Sequence, residues 1–246
     1  MTELVILLAV SFFFIAIVYS SVGFGGGSSY LAILALVSLP VDTLRPVALL
    51  CNIIVATGGV MVFAREGKLR LKKVWHFLLP SVPLAFLGGY WQLHDRTFFL
   101  LLGTSLVVAS ALLWIRPERL RKVKSDNVGL NTTLGGTIGL LSGVVSIGGG
   151  IFLSPVLHLI DWDEAKKISA MASVFILANS VSGLAGQWLQ LESLPWSFAV
   201  PLLLAVLAGG QVGSRLGARV FNSLYIKRIT AVVVFIAGLN ILRLHF

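Results

Sequence analysis

Gly23-Phe24-Gly25-Gly26-Gly27-Ser28 follows one apolar run, and Val145-Ser146-Ile147-Gly148-Gly149-Gly150 follows another. The triplets Gly25–Gly27 and Gly148–Gly150 lie 123 residues apart in a chain of 246, so each half carries one. Glycine costs a helix interior about 1 kcal/mol relative to alanine, so three in a row predict a break. Broken hydrophobic segments at corresponding positions of two halves mark the binding site in many membrane carriers.

The rest of the chain predicts an all-α polytopic membrane protein. It is 57% hydrophobic and only 12% charged, against roughly 25% charged in soluble domains. Several apolar stretches approach the ~20 residues that span a bilayer as helix. The expected helices are Leu4–Val22, Ser28–Leu39, Leu44–Ala64, Val74–Leu93, Thr97–Ile115, Leu130–Val145, Ile151–Ile160, Ala165–Gln187, Pro195–Ser214 and Tyr225–Leu242. The second and seventh are short, and counting them or not gives ten or eight crossings. The whole chain, 1–246, reads as one membrane domain with no loop long enough for a soluble one. Its N-terminus lacks the basic start of a signal peptide and is expected to be a retained first helix. The lone cysteine, Cys51, cannot form an intrachain disulfide.

Charge placement predicts orientation and explains the net charge of +9. Sixteen of the 19 basic residues fall in alternate loops, around 65–73, 116–124, 166–167 and 215–228. The positive-inside rule puts these loops in the cytoplasm and both termini outside, in an inner membrane. The loop bias replaces nucleic-acid binding as the reason for the basic balance.

The halves correspond beyond the glycines. Pro80 with Gly88-Gly89 matches Pro201 with Gly209-Gly210, and Asp42 with Arg45 matches Glu164 with Lys167. The third helix starts outside, whereas its counterpart, the eighth, starts inside. Repeat 1 (1–115) and repeat 2 (129–246), joined by a cytoplasmic linker (116–128), are therefore expected to be inverted. The two breaks then meet near mid-membrane from opposite sides. There the open amides and partial positive charge of two half-helix N-termini make an anion site.

Ser28 and Ser29 follow the first break and Ser146 precedes the second. Asn52 and Thr57 in the third helix, and Ser169, Ser173, Asn179 and Ser180 in the eighth, are placed to wall the cavity. The candidate binding set is Gly25, Gly26, Gly27, Ser28, Asn52, Ser146, Gly148, Gly149, Gly150, Ser173 and Asn179. Arg45 and Lys167 are expected at opposite mouths, steering anions inward. Gly135-x3-Gly139-x3-Gly143 and Ala205-x3-Gly209-x3-Gly213-x3-Gly217 are small-residue ridges for close helix packing, or in part for a homodimer.

No acidic residue falls within a predicted span, which argues against coupling through a buried carboxylate. His158 is the one titratable group expected near the core. The four histidines show no metal-ligand spacing, and no nucleophile motif is in register, so neither a metal, a cofactor nor catalysis is expected.

In these glycine motifs, with the stretches Pro46–Gly59 and Ser169–Gly183 and the Pro…Gly-Gly pairs, the chain resembles the TauE/SafE sulfite exporter family, also called the toluene-sulfonate uptake permeases. The resemblance implies transport of a small sulfur-containing anion, sulfite or an organosulfonate such as sulfoacetate. The family often has a small residue and Thr-Ser after each short helix, where this chain has Leu50-Cys51-Asn52 and Ala172-Ser173. The expectation is a secondary transporter exporting such an anion by alternating access. The alternatives are an anion channel with the same pore and a carrier of an unrelated small organic anion.

Overall fold

The structure is a computed structural model, and it describes residues 2–21, 25–37, 39–69, 71–114, 127–160, 162–217 and 223–245. Gly23 and Phe24 and most of the linker lie outside the described residues. The helices are α1 (Thr2–Ser21), α2 (Gly27–Leu36), α3 (Val41–Arg65), α4 (Leu71–Tyr90), α5 (Asp95–Trp114), α6 (Val128–Val145), α7 (Gly150–Leu159), α8 (Ala165–Gly186), α9 (Trp188–Glu192), α10 (Trp196–Gly217) and α11 (Ser223–His245). All ten expected helices form, and α9 is an addition. Six helices, α1, α3, α5, α6, α8 and α10, are long and apolar enough to cross a membrane. Trp75, Tyr90, Trp91, Trp114, Trp188 and Trp196 are exposed near helix ends, as in the aromatic belts of membrane proteins.

In a membrane there is little hydrophobic drive between helices, so close backbone approach decides who packs on whom. Gly135, Gly139 and Gly143 of α6 lie against Phe77, Ser81 and Ala85 of α4, so the two helices run parallel with backbones touching. Gly209 and Gly213 of α10 lie in the same way against the carbonyls of Phe13 and Ile17 of α1. Both predicted ridges are thus engaged inside the chain, and these faces are not free for a second copy.

At the centre α3 crosses α8 antiparallel, with Gly59 against Ser173 and Leu49 against Gly183. Lys166 Nζ lies 3.9 Å from Glu66 Oε2, joining the end of α3 to the start of α8. Helices α5 and α11 also run antiparallel, through Phe99 on His245 and Gly103 on Gly238. Exchanging the two halves maps α4–α6 onto α10–α1 and leaves the α3–α8 and α5–α11 pairs in place. This packing is consistent with an inverted repeat.

Candidate functional site

The two short helices start in the same way. Gly26 (φ 84°) caps α2 and Gly149 (φ 79°) caps α7, both left-handed, a conformation glycine adopts without a Cβ penalty. The amides of Ser29 and Tyr30 donate to the Gly26 carbonyl, and those of Phe152 and Leu153 to the Gly149 carbonyl, at 3.0–3.1 Å. The amides just before them, at Gly27 and Ser28 and at Gly150 and Ile151, are those helix geometry leaves open.

The breaks meet. A Cβ at Gly25 would lie 2.5 Å from Asn52 Oδ1 and 2.9 Å from Ile176 Cγ2. At Gly27 it would strike the Asn52 amide and come within 2.8 Å of the Ile147 carbonyl. At Gly148 it would be 2.9 Å from both Asn52 Nδ2 and Ser180 Oγ, and at Gly150 it would overlap Ile176. So α3 inserts Asn52, and α8 inserts Ile176 and Ser180, where the two glycine triplets converge. Asn52 Nδ2 donates to the Ile147 carbonyl at 2.9 Å, linking the halves.

That convergence is poor in hydrogen bonds. Asn52 Oδ1 and Ser180 Oγ take no partner there, and Asn179, the residue before Ser180 on α8, has no partner for either amide atom; both asparagines are 0% exposed. An unpaired buried polar group costs about 1–3 kcal/mol. Such a set fits a polar ligand that comes and goes. Both triplets are buried too in this conformation.

Other candidates are engaged elsewhere. Tyr19 Oη lies 2.6 Å from Ser29 Oγ and 3.4 Å from Ser28 Oγ, holding both hydroxyls at the head of α2. Ser173 Oγ donates to the Ser169 carbonyl at 3.0 Å, at the crossing with Gly59. Thr57 Oγ1 donates back to its own helix at Ile53.

Two expectations are corrected. Arg45 is not at an open mouth: it is 2% exposed, the largest of the fully buried side chains. Its Nε donates to Ser146 Oγ at 3.0 Å, and its terminal nitrogens donate to the carbonyls of Gly88, Gly89, Trp91 and Gly143 at 3.3–3.4 Å. Those carbonyls end α4 and α6, where helix dipoles concentrate negative charge, so the guanidinium caps two helices at once. Ser146, in turn, does not offer a spare hydroxyl. Its Oγ accepts from Arg45 and from Gln187 Nε2 (2.9 Å) and lies 3.4 Å from the Gly143 carbonyl, to which it donates. Ser146 is also left-handed (φ 59°), a conformation that costs a residue with a Cβ roughly 1–2 kcal/mol.

Lys167 behaves differently from its counterpart Arg45. It pairs with Asp163 at 3.3 Å and Glu164 at 2.7 Å beside its own helix start. The hydrogen bond from Lys167 holds the Glu164 carboxyl below its usual pKa. Sequence reasoning gave no role to Gln187 or Tyr19. Gln187 is the residue after α8, and no motif marks it; only the fold brings it to Ser146.

Residues 8–241 match the family model described as "Sulfite exporter TauE/SafE". A "probable membrane transporter protein y4hK" of Sinorhizobium fredii (strain NBRC 101917 / NGR234) is 34% identical over 242 residues, covering 96% of this chain and 97% of that one. No solved structure matches the chain.

Proposed function

The chain belongs to the TauE/SafE sulfite exporter family and is a membrane transporter of that type, and from this premise we propose that it exports a small sulfur-containing anion, sulfite or an organosulfonate such as sulfoacetate, across the inner membrane. The observation that carries the proposal is the meeting of two half-helix starts around Asn52 and the unpartnered Ser180. The open amides after Gly26 and Gly149 hold the anion, and Asn52, Asn179 and Ser180 supplement them. A sulfonate or sulfite oxygen accepts several hydrogen bonds, which suits a cluster of amides without a mobile proton.

The burial of both triplets supports a carrier that alternates access over an open channel. Movement of one repeat against the other exposes the anion to each side in turn. An inside-negative potential drives an anion outward by about 2.3 kcal/mol per charge per 100 mV, so export needs no coupled proton.

The test is thermal stabilisation of the purified protein by sulfite, sulfoacetate, sulfate, taurine, acetate and chloride, followed by flux in proteoliposomes. A ligand that binds only the folded state stabilises it by mass action. Sulfite or sulfoacetate is expected to raise the melting temperature selectively and to be transported saturably. Gly149→Val must force a branched residue into φ 79° with its Cβ 2.8 Å from Phe175 Cε1, and is expected to abolish both effects while protein remains in the membrane. Normal flux in that variant would remove the second break from the site. Selective stabilisation by acetate alone would move the substrate to the carboxylates.

A further inference from the structure

Among the described residues, Ser146 is the one non-glycine residue in the left-handed region. It ends α6 and leads directly into Gly148–Gly150, so its conformation sets the direction in which the second triplet starts. Serine does not favour that conformation by itself; the side-chain bonds must hold it. They come from both halves of the chain: Arg45 Nε from α3 and Gln187 Nε2 from the end of α8, at 3.0 and 2.9 Å. The whole group is buried.

A surface recess of about 790 Å³, lined by Trp91, Gly186 and Gln190 among others, adjoins this group: Trp91 supplies a carbonyl to Arg45, and Gly186 directly precedes Gln187. Among the described residues, the serines after the first break are bonded to a neutral phenol, Tyr19, and Lys167, the counterpart of Arg45, pairs with Asp163 and Glu164.

Resting on the second break being part of the anion site, we infer that Arg45 and Gln187 are positioning residues. They fix Ser146 in its left-handed conformation and thereby aim the amides of the second triplet. Neither side chain touches the anion. Arg45 acts through Ser146, and its charge is balanced by the ends of α4 and α6.

Two readouts test this. The first is hydrogen–deuterium exchange of the purified protein, without substrate, in Arg45→Met. Peptides covering 141–152 are expected to exchange at least tenfold faster than in the wild type, with peptides covering 25–36 unchanged. The second is sulfite flux in proteoliposomes. Arg45→Met is expected to raise KM about tenfold with kcat within about twofold, and Gln187→Leu to do so more weakly. Adding Ser146→Gly to Arg45→Met should restore most of the KM, because glycine adopts the left-handed conformation without side-chain bonds. A purely structural role for Arg45 predicts no such rescue.

Unchanged exchange at 141–152 overturns the inference, as does equal loosening of both breaks or failure of Ser146→Gly to rescue. If Arg45→Met does not fold, Gln187→Leu and Arg45→Lys are read by the same two measurements against the same outcomes. If exchange changes as expected but the wild type moves no sulfite, the proposed substrate falls and the positioning of Ser146 stands.

Discussion

Two buried asparagines, Asn52 on α3 and Asn179 on α8, carry opposite expectations. Asn52 has one bond to lose, to the Ile147 carbonyl, and its removal leaves that carbonyl unpaired at a cost of about 1–3 kcal/mol. Asn179 has no partner for either amide atom, so Asn179→Leu removes a buried unpaired group. Asn52→Leu is expected to lower the melting temperature and Asn179→Leu to keep or raise it, while both lose substrate-dependent flux. Differential scanning fluorimetry beside the flux assay checks this, and a destabilised but fully active Asn179→Leu would contradict it. The glycines and Asn52 were legible in the sequence because broken helices and intramembrane amides are costly unless used. Arg45 was not. Its place near a helix start reads as a mouth of the pathway, and only the convergence of two helix ends, set by packing far along the chain, explains a buried guanidinium there.

At the level of elements, backbone contact between glycine ridges makes substitution outcomes separable. A Cβ at Gly143 would run into the Ala85 backbone, whereas at Gly58 the nearest atom is Gln211 Nε2 at 4.0 Å. Gly143→Val is expected to part α4 from α6, costing ~3 kcal/mol or more, and to yield little monodisperse protein on size-exclusion chromatography. Gly58→Ala sits in α3 with room to spare and is expected to gain about 0.5–1 kcal/mol from helix propensity. The ten helices could be read from apolar run lengths and breakers, and the ridges from their i, i+4 spacing. The short α9 could not, since Trp188–Glu192 carries neither a cap motif nor enough length to show a period. Which ridge met which helix was equally hidden, because spacing describes one face and says nothing of its partner.

For the whole molecule, the principal pairings join the halves: α4 to α6, α1 to α10, α3 to α8 and α5 to α11. Each half separates its own ridges from the surfaces that fill them. Residues 1–115 or 129–246 expressed alone are therefore expected to be degraded or aggregated. Co-expression of the two should recover a complex that co-purifies and transports. Stable, monodisperse accumulation of either half alone would show that the interface is dispensable. Matching motifs and loop charges in the sequence point to correspondence between the halves, and the symmetric helix pairing is consistent with it. The sequence could not foretell their inequality, because Arg45 and Lys167 occupy matching positions and yet bind in different ways.

As proposed, the site where the triplets converge holds its ligand with peptide amides, carboxamides and a hydroxyl, none of which ionises near neutral pH. Such a receptor has no titration curve of its own near neutrality. Any bend in transport against pH would then be drawn by the cargo, and its midpoint would name the acid dissociation of whatever is carried.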